Sequence, residues 1–147
     1  MGKLVVVDGN SLMHRAFHAL PPMNNRDGVP TQAVYGFLNM LLKMLDNEKP
    51  THLLIAFDTQ APTPRHLRYE GYKAGRKETP DELRVQFPLI KKVLEAMQIA
   101  IGEQDGFEAD DYLGIFSRRA EKEGLDVRLV TGDRDAWQLI TDKTHVI

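Results

Sequence analysis

The sequence contains no cysteine, which excludes disulfide bonds and zinc sites built on thiolates. It has no apolar run long enough to cross a bilayer, and the apolar run in its opening MGKLVVVDGN is too short for a signal peptide. A serine or threonine is missing at position 6, so the Met-Gly start does not predict myristoylation. These absences favour a cytoplasmic protein that does not associate with membranes.

What is present is the composition of an ordinary globular domain. The chain has 147 residues, 42% of them hydrophobic and 27% charged, which suits one domain with a sizeable core. Its net charge of −2 does not favour a simple basic nucleic-acid binder, so the distribution of charge along the chain is more informative than the sum. We find no repeat and no internal domain boundary, and treat residues 1–147 as one unit.

Short runs rich in Val, Ile and Leu alternate with longer segments of helical spacing. The predicted strands are residues 4–7, 53–57, 99–101, 127–130 and 145–147. The predicted helices are residues 11–20, 31–45, 81–97, 107–123 and 134–140. Strands alternating with helices indicate βαβ units, and therefore an α/β three-layer sandwich around a mostly parallel sheet.

Three local signals refine the predicted helices. Thr31 is suited to cap the start of the second helix, and Gly124 is suited to end the fourth. Pro88 lies inside the third helix and predicts a break near Phe87, because proline cannot donate the helical hydrogen bond.

Acidic residues follow each of the first four predicted strands. They are Asp8, Asp58, Glu108, Asp110, Asp111, Asp133 and Asp135. Because the carboxyl ends of parallel strands share one edge of a sheet, these acids should meet in one cleft. A single aspartate after a strand is most often a turn or cap residue. Four acidic strand ends, one of them with three acids in GFEADDY, are much harder to explain in that way.

So many carboxylates can converge only with countercharge, because their repulsion would otherwise raise several pKa values. Hard oxygen ligands without cysteine select Mg²⁺ or Mn²⁺ over Zn²⁺. Two such ions about 4 Å apart form the usual site for in-line attack on a phosphodiester. The acids therefore predict a two-metal hydrolytic site.

Positive charge is concentrated in residues 63–77, TPRHLRYEGYKAGRK. The basic residues there are Arg65, Arg68, Lys73, Arg76 and Lys77, and the interleaved aromatic residues are Tyr69 and Tyr72. This composition suits a phosphate backbone with a base stacked beside it. The connection of residues 59–79 is long for a compact domain, which is typical of a functional segment. It starts directly after Asp58, so it begins at the acidic cleft.

Several other residues have simpler interpretations. His14 and His18 are spaced i, i+4 and could bind a metal, but without a third ligand nearby we interpret them as helix surface or packing residues. Arg15, between them, is a weak candidate to face the cleft. Trp137 and Phe37 are predicted to lie in the core.

With these residues in view, the whole chain resembles the 5′-nuclease domains of bacterial DNA polymerases I, within the flap-endonuclease and PIN-like superfamily. The resemblance rests on VDGNSLMHRAFHALPP, AVYGFLNMLLKML, IAFDT, RHLRYEGYKAGR, TPDEL, GFEADD and VTGDRDAWQLI. It implies a PIN-like fold with a basic arch inserted after the second strand. It also implies that the seven acids belong to the family's acidic metal site, that the intact domain binds two Mg²⁺ or Mn²⁺ ions, and that DNA is cleaved at 5′ flaps and 5′ ends in replication and repair.

The resemblance further implies roles for the arch. Lys73 and Arg76 would contact the scissile phosphate, and Tyr72 would stack on the terminal base. Further DNA contacts are implied for Arg65, Arg68 and Lys77. Two residues depart from the family pattern: Pro64 stands where an aromatic residue is common, and Leu67 where glutamate is common.

The family pattern continues past Ile147 with a helix–hairpin–helix region and further aspartates of the second metal site, often fused to a polymerase. Neither is in these 147 residues, so the sequence leaves open both a 5′ nuclease and a piece that binds metal or DNA without cutting. An α/β phosphatase of the haloacid-dehalogenase type fits less well, because Asp8 is followed by Gly-Asn rather than by x-Asp. A response-regulator receiver would leave the insertion at residues 59–79 unexplained.

Overall fold

The computed structural model describes residues 2–59 and 79–147. Its strands are β1 (Lys3–Asp8), β2 (His52–Ala56), β3 (Ala100–Gly102), β4 (Asp126–Val130) and β5 (Thr144–Val146). They form one five-stranded sheet in the order β3-β2-β1-β4-β5, and each neighbouring pair is parallel. The predicted parallel sheet is confirmed, and no strand boundary is more than one residue from its predicted position.

The helices lie on both faces of the sheet. They are α1 (Gly9–Ala19), α2 (Gln32–Glu48), α3 (Asp81–Arg84), α4 (Gln86–Ala96), α5 (Ala109–Lys122) and a 3₁₀ helix (Arg134–Leu139). α1, α2 and α4 share a core with one face, while α5 and the 3₁₀ helix pack on the other, so the three-layer sandwich is confirmed. None of these helices is long and apolar enough to cross a membrane.

The central strand β1 is buried on both faces, which explains its unbroken apolar sequence. Val5 and Val7 pack with α1, α2 and α4 in a core that includes the fully buried Phe37. Leu4 and Val6 point to the opposite face and pack against α5. A near-continuous run of Val and Leu is what a parallel strand covered on both faces requires.

The predicted break in the third helix is present, two residues earlier than expected. The chain leaves α3 at Val85 and begins α4 at Gln86, so Pro88 falls in the first turn of α4. Backbone N–H groups of a first turn have no partner within their own helix, and proline is tolerated there. The end of α5 is as predicted, with Gly124 at a φ of +82°, in the left-handed region that glycine adopts readily.

The start of α2 is capped by a residue that is distant in sequence. Thr31 occupies the predicted cap position, but its side chain makes no capping hydrogen bond. Instead, Oε1 of the fully buried Gln86 accepts hydrogen bonds from the backbone N–H groups of Ala33 (2.7 Å) and Val34 (3.1 Å). Gln86 Nε2 donates to the carbonyl of Glu82 (2.8 Å), and α2, α3 and α4 are thereby joined.

The prediction that Trp137 lies in the core is wrong, since this side chain is 60% exposed. The predicted last helix is a 3₁₀ helix, which has three residues per turn. Ala136 and Leu139 are therefore on the same side, and that side is the one packed against the domain. Trp137 is consequently turned toward solvent.

Candidate functional site

Acidic side chains from four loops come together at the carboxyl edge of the sheet. Asp8 ends β1, Asp58 follows β2, Glu108 and Asp110 lie at the start of α5, and Asp133 caps the 3₁₀ helix. The charges of the other four all act to raise the pKa of Asp110. We call these five residues the acidic cluster.

Asp8 is the most buried aspartate of the cluster, with 6% of its surface exposed. The backbone N–H of Ser11 donates to its Oδ1 (3.1 Å), and the Thr131 hydroxyl donates to its Oδ2 (3.0 Å). Burial raises the pKa of Asp8, the two hydrogen bonds oppose this, and the charges of Asp58 and Asp133 add to the rise. Asp8 thus caps α1 while facing the other acids.

Asp58 connects the loops that follow three strands. Its backbone N–H donates to Asn10 Oδ1 (2.8 Å), just after β1. Its own Oδ1 accepts a hydrogen bond from the backbone N–H of Ala109 (2.7 Å), the first residue of α5. A carboxylate at this position is stabilised by the positive end of the helix dipole.

The three acids of GFEADDY are not equivalent. Glu108 is buried and is the N-cap of α5, and its backbone N–H donates to Asp111 Oδ2 (2.8 Å), so these two acids shape the start of the helix. Asp110 is half-buried, and no residue in the two described stretches donates a hydrogen bond to its carboxylate. Burial and then the charges of Asp133 and the rest of the cluster raise the pKa of Asp110 to about 7.

Asp111 and Asp135 lie at the margin of the cluster. Neither is among the charges that raise the pKa of Asp110. The Asp135 side chain is exposed, and its backbone N–H donates to Asp133 Oδ1 (2.9 Å). The structure therefore brings five of the seven predicted acids into one electrostatic group and places two beside it.

Three polar residues that the sequence analysis overlooked hold the acidic loops together. Asn10 binds the backbone of the β2 loop, as described above. Ser11 Oγ accepts a hydrogen bond from the backbone N–H of Gly132 (2.8 Å). The buried Thr131 hydroxyl donates to Asp8 and also accepts from the backbone N–H of Asp133 (3.1 Å). Their position next to the acids, in DGNS and VTGD, is the sequence signal that would have found them.

At this edge, the Phe57 ring that follows β2 packs against the backbone of Gly9, which follows β1. A Cβ atom at Gly9 would lie 2.5 Å from the Phe57 ring, so no larger residue fits there without displacing the ring. A Cβ atom at Gly132 would lie 3.4 Å from Arg15 Nη2, which places the Arg15 side chain beside the β4 loop of the cluster. Arg15 therefore borders the acidic edge.

His14, which precedes Arg15 in α1, is half-buried. Its ring centroid lies 6.5 Å from that of Phe87. Burial lowers the pKa of His14, the neighbouring His18 lowers it further, and the charge of Asp58 opposes both. A neutral, ring-packed imidazole fits the interpretation of His14 as a packing residue.

The donor set of the cluster consists of carboxylate oxygens, which suits hard divalent cations such as Mg²⁺ and Mn²⁺. Within residues 2–59 and 79–147, however, no three acidic or histidine side chains stand in a geometry that would hold a metal ion. The carboxylate oxygens are suitable ligands for a divalent cation, but the described side chains are not arranged as three ligands around one ion.

The predicted arch residues lie outside the described residues. They are Arg65, Arg68, Tyr72, Lys73, Arg76 and Lys77.

Comparison with known proteins gives a family match over almost the whole chain. Residues 3–147 match the model of the 5′-3′ exonuclease, N-terminal resolvase-like domain. The chain is 53% identical over 144 residues to DNA polymerase I of Bacillus subtilis (strain 168), covering 98% of this chain and 16% of that protein. It is 44% identical over 146 residues to the thermostable DNA polymerase I of Thermus aquaticus, covering 99% and 17%. The chain thus spans about a sixth of the length of these relatives.

Solved structures share the fold. A bacteriophage T5 flap endonuclease in a pseudo-enzyme-product complex with DNA and metal ions superposes with a TM-score of 0.73 at 21% identity. T5 5′-exonuclease with bound divalent zinc ions superposes with a TM-score of 0.70 at 21% identity. Each match covers 99% of this chain and 54% of the other.

Proposed function

The chain belongs to the family of 5′-3′ exonuclease N-terminal, resolvase-like domains, and we propose on this basis that it forms the catalytic α/β part of a metal-dependent 5′ nuclease that hydrolyses DNA phosphodiesters. The observation that carries the proposal is the acidic cluster, in which loops distant in sequence place five carboxylates at one edge of the sheet. A set of mutually repelling acids, one with its pKa raised to about 7, is stabilised by bound cations.

Within this proposal, Asp8, Asp58, Glu108, Asp110 and Asp133 would hold Mg²⁺ or Mn²⁺, with Asp111 and Asp135 as the remaining acids of the site, and the intact domain would bind two such ions. Bound divalent ions supply an activated water and stabilise negative charge on the phosphoryl oxygens. The residues around the acids position the carboxylates. The Thr131 hydroxyl and the Ser11 backbone N–H hold the Asp8 carboxylate, and the Ala109 backbone N–H holds the Asp58 carboxylate.

The proposed substrate is DNA with a 5′ flap or a free 5′ end. Lys73 and Arg76 are proposed to contact the scissile phosphate, and Arg65, Arg68, Tyr72 and Lys77 to bind the strand. Family membership and the basic, aromatic composition of this segment support these assignments. We further propose a cytoplasmic location and a polymerase region downstream, as in the relatives named DNA polymerase I.

A 5′-labelled flap substrate tests the proposal. We expect cleavage with Mg²⁺ and none with EDTA. Asp110→Asn should abolish cleavage, whereas Asp46→Asn, the same change at an exposed acid of α2, should leave it unchanged. Equal cleavage with EDTA would overturn the metal-dependent mechanism. Binding of the flap without cleavage would favour a non-catalytic metal- and DNA-binding role.

A further inference from the structure

The 3₁₀ helix that follows the acidic cluster presents an exposed aromatic ring paired with a cation. Trp137 is the single tryptophan of the chain and is 60% exposed. The guanidinium carbon of Arg134 lies 6.0 Å from the centroid of its ring, within the range of a cation–π contact. The core contacts of this helix are made by Ala136 and Leu139. The Trp137 side chain is therefore open to solvent over more than half of its surface.

This ring is close to the acidic cluster along the chain. Asp133, a member of the cluster, is the N-cap of the same helix, and Trp137 follows it by four residues. With a rise of about 2 Å per residue in a 3₁₀ helix, Trp137 is roughly 8 Å along the axis from Asp133. That distance corresponds to about two steps of a stacked DNA strand, at roughly 3.4 Å each.

The pair has the chemistry of a base-stacking platform. An aromatic face stacks on any base, and a neighbouring arginine adds cation–π and phosphate attraction. The flanking Asp133 and Asp135 are negative, so a DNA strand approaches this helix favourably only when divalent cations neutralise the acids. Binding at Trp137 should therefore depend on divalent metal.

We propose that Trp137, with Arg134, stacks on a base of single-stranded DNA within a few nucleotides of the acidic cluster. This inference rests on the proposed nuclease function. It adds a contact on the β4 side of the acidic cluster, whereas β2, after which the basic segment follows in sequence, lies on the other side of β1. Ile140 is also exposed, at 50%, so a second copy of the chain is the competing occupant that the test must separate.

The single tryptophan makes the test direct. A short oligothymidylate is titrated into the protein with Mg²⁺, with Ca²⁺ and with EDTA, while tryptophan emission and the anisotropy of a fluorescein label on the DNA are recorded. We expect a saturable quench of emission that parallels the anisotropy and disappears in EDTA. Trp137→Ala should weaken binding about tenfold, and Trp137→Phe by less than about threefold. Ile140→Ala, a matched exposed apolar change, should bind as the wild type does.

If the anisotropy of the labelled DNA saturates while the tryptophan emission stays unchanged, the stacking site is overturned and the proposed nuclease function is not. The same conclusion applies if Trp137→Ala binds the DNA with wild-type affinity. A blue shift of emission that grows with protein concentration in the absence of DNA would assign the ring to contact between copies and also overturn it. An absence of both binding and cleavage in the wild type would overturn the proposed function along with this inference. The emission result does not depend on whether Trp137→Ala folds.

Discussion

At the scale of single residues, Asp110 is a half-buried acid whose charge the described part of the fold leaves largely uncompensated. In the folded chain its pKa is about 7, against an ordinary value of 3.8, so it binds a proton at a higher pH when folded than when unfolded. The stability that this proton contributes is fully present below about pH 4 and is lost as the pH rises through about 7. Above pH 7 the ionised carboxylate therefore destabilises the metal-free protein.

The pH dependence of Asp110 should appear in the stability of the metal-free protein. In EDTA, Asp110→Asn should be more stable than the wild type by about 1 kcal/mol at pH 8, after allowance for solvent screening of a half-exposed group. The difference should shrink as the pH falls and vanish near pH 4. Thermal melts of both proteins across this range provide the measurement. A variant that is less stable than the wild type at pH 8 would show that Asp110 is structural.

The Thr131 hydroxyl links Asp8 to the loop that follows β4. Thr131→Val keeps the shape of the side chain but leaves Asp8 Oδ2 without its O–H donor and the Asp133 N–H without its acceptor. We expect a loss of about 1–3 kcal/mol in unfolding free energy and weaker Mn²⁺ binding. Thr131→Ser, which keeps the hydroxyl, should restore most of both. Urea unfolding measures the unfolding free energy, and titration measures the Mn²⁺ affinity. If Thr131→Val and Thr131→Ser gave the same values, the hydroxyl would have no such role.

At the scale of the elements, the start of α2 depends on a side chain from α4. Gln86→Leu removes the acceptor of two backbone N–H groups and should lower the unfolding free energy by about 2–3 kcal/mol. Gln104→Leu, at an exposed position, is the matched control and should change it by less than about 0.5 kcal/mol. Urea unfolding compares the two. Similar small losses would mean that the long-range cap contributes little.

The elements themselves were predictable because their signals are local. Each strand is a short apolar run bounded by polar residues, and Gly124 marks a helix end through its own backbone preference. The cap of α2 was not predictable, because Gln86 lies 53 residues from Ala33. The position of Trp137 was not predictable either, because the sequence predicted a helix over residues 134–140 but not that it would be a 3₁₀ helix with Ala136 and Leu139 turned inward.

The same distinction applies to the candidate site. Each acid directly follows its strand, so a parallel sheet alone predicts that the acids share an edge. The hydrogen bonds that orient them join loops far apart in sequence, as between Asn10 and Asp58 or Ser11 and Gly132, and no local pattern reports them. Glu108 caps α5 and Asp110 does not, and this difference likewise depends on the conformation of the first turn of α5.

At the scale of the whole molecule, the strand order locates the site. The chain builds β2 and β3 on one side of β1 and then crosses to build β4 and β5 on the other. The order therefore reverses between β1 and β4, and such a switch point is where open α/β sheets bind ligands. Asp8 and Asp133 lie on the two sides of it.

Divalent cations should consequently stabilise the whole domain. A ligand that binds the folded chain alone adds about 2.7 kcal/mol at a concentration one hundred times its Kd. We expect the Tm to rise with added Mg²⁺ or Mn²⁺, to return with EDTA, and to rise less in Asp110→Asn than in Asp46→Asn. Differential scanning fluorimetry over a metal series provides the measurement. A Tm independent of both metals would argue against the assignment of the cluster as their site.

The hydrogen bond from Thr131 to Asp8 spans 123 residues, nearly the full length of the chain. Contacts of such large sequence separation are slow to form, since much chain entropy is lost before they contribute. On a ribosome, the amino-terminal acids emerge long before the β4 loop. The acidic cluster is therefore complete only once β4 has paired with β1, and a shorter nascent chain carries only part of it.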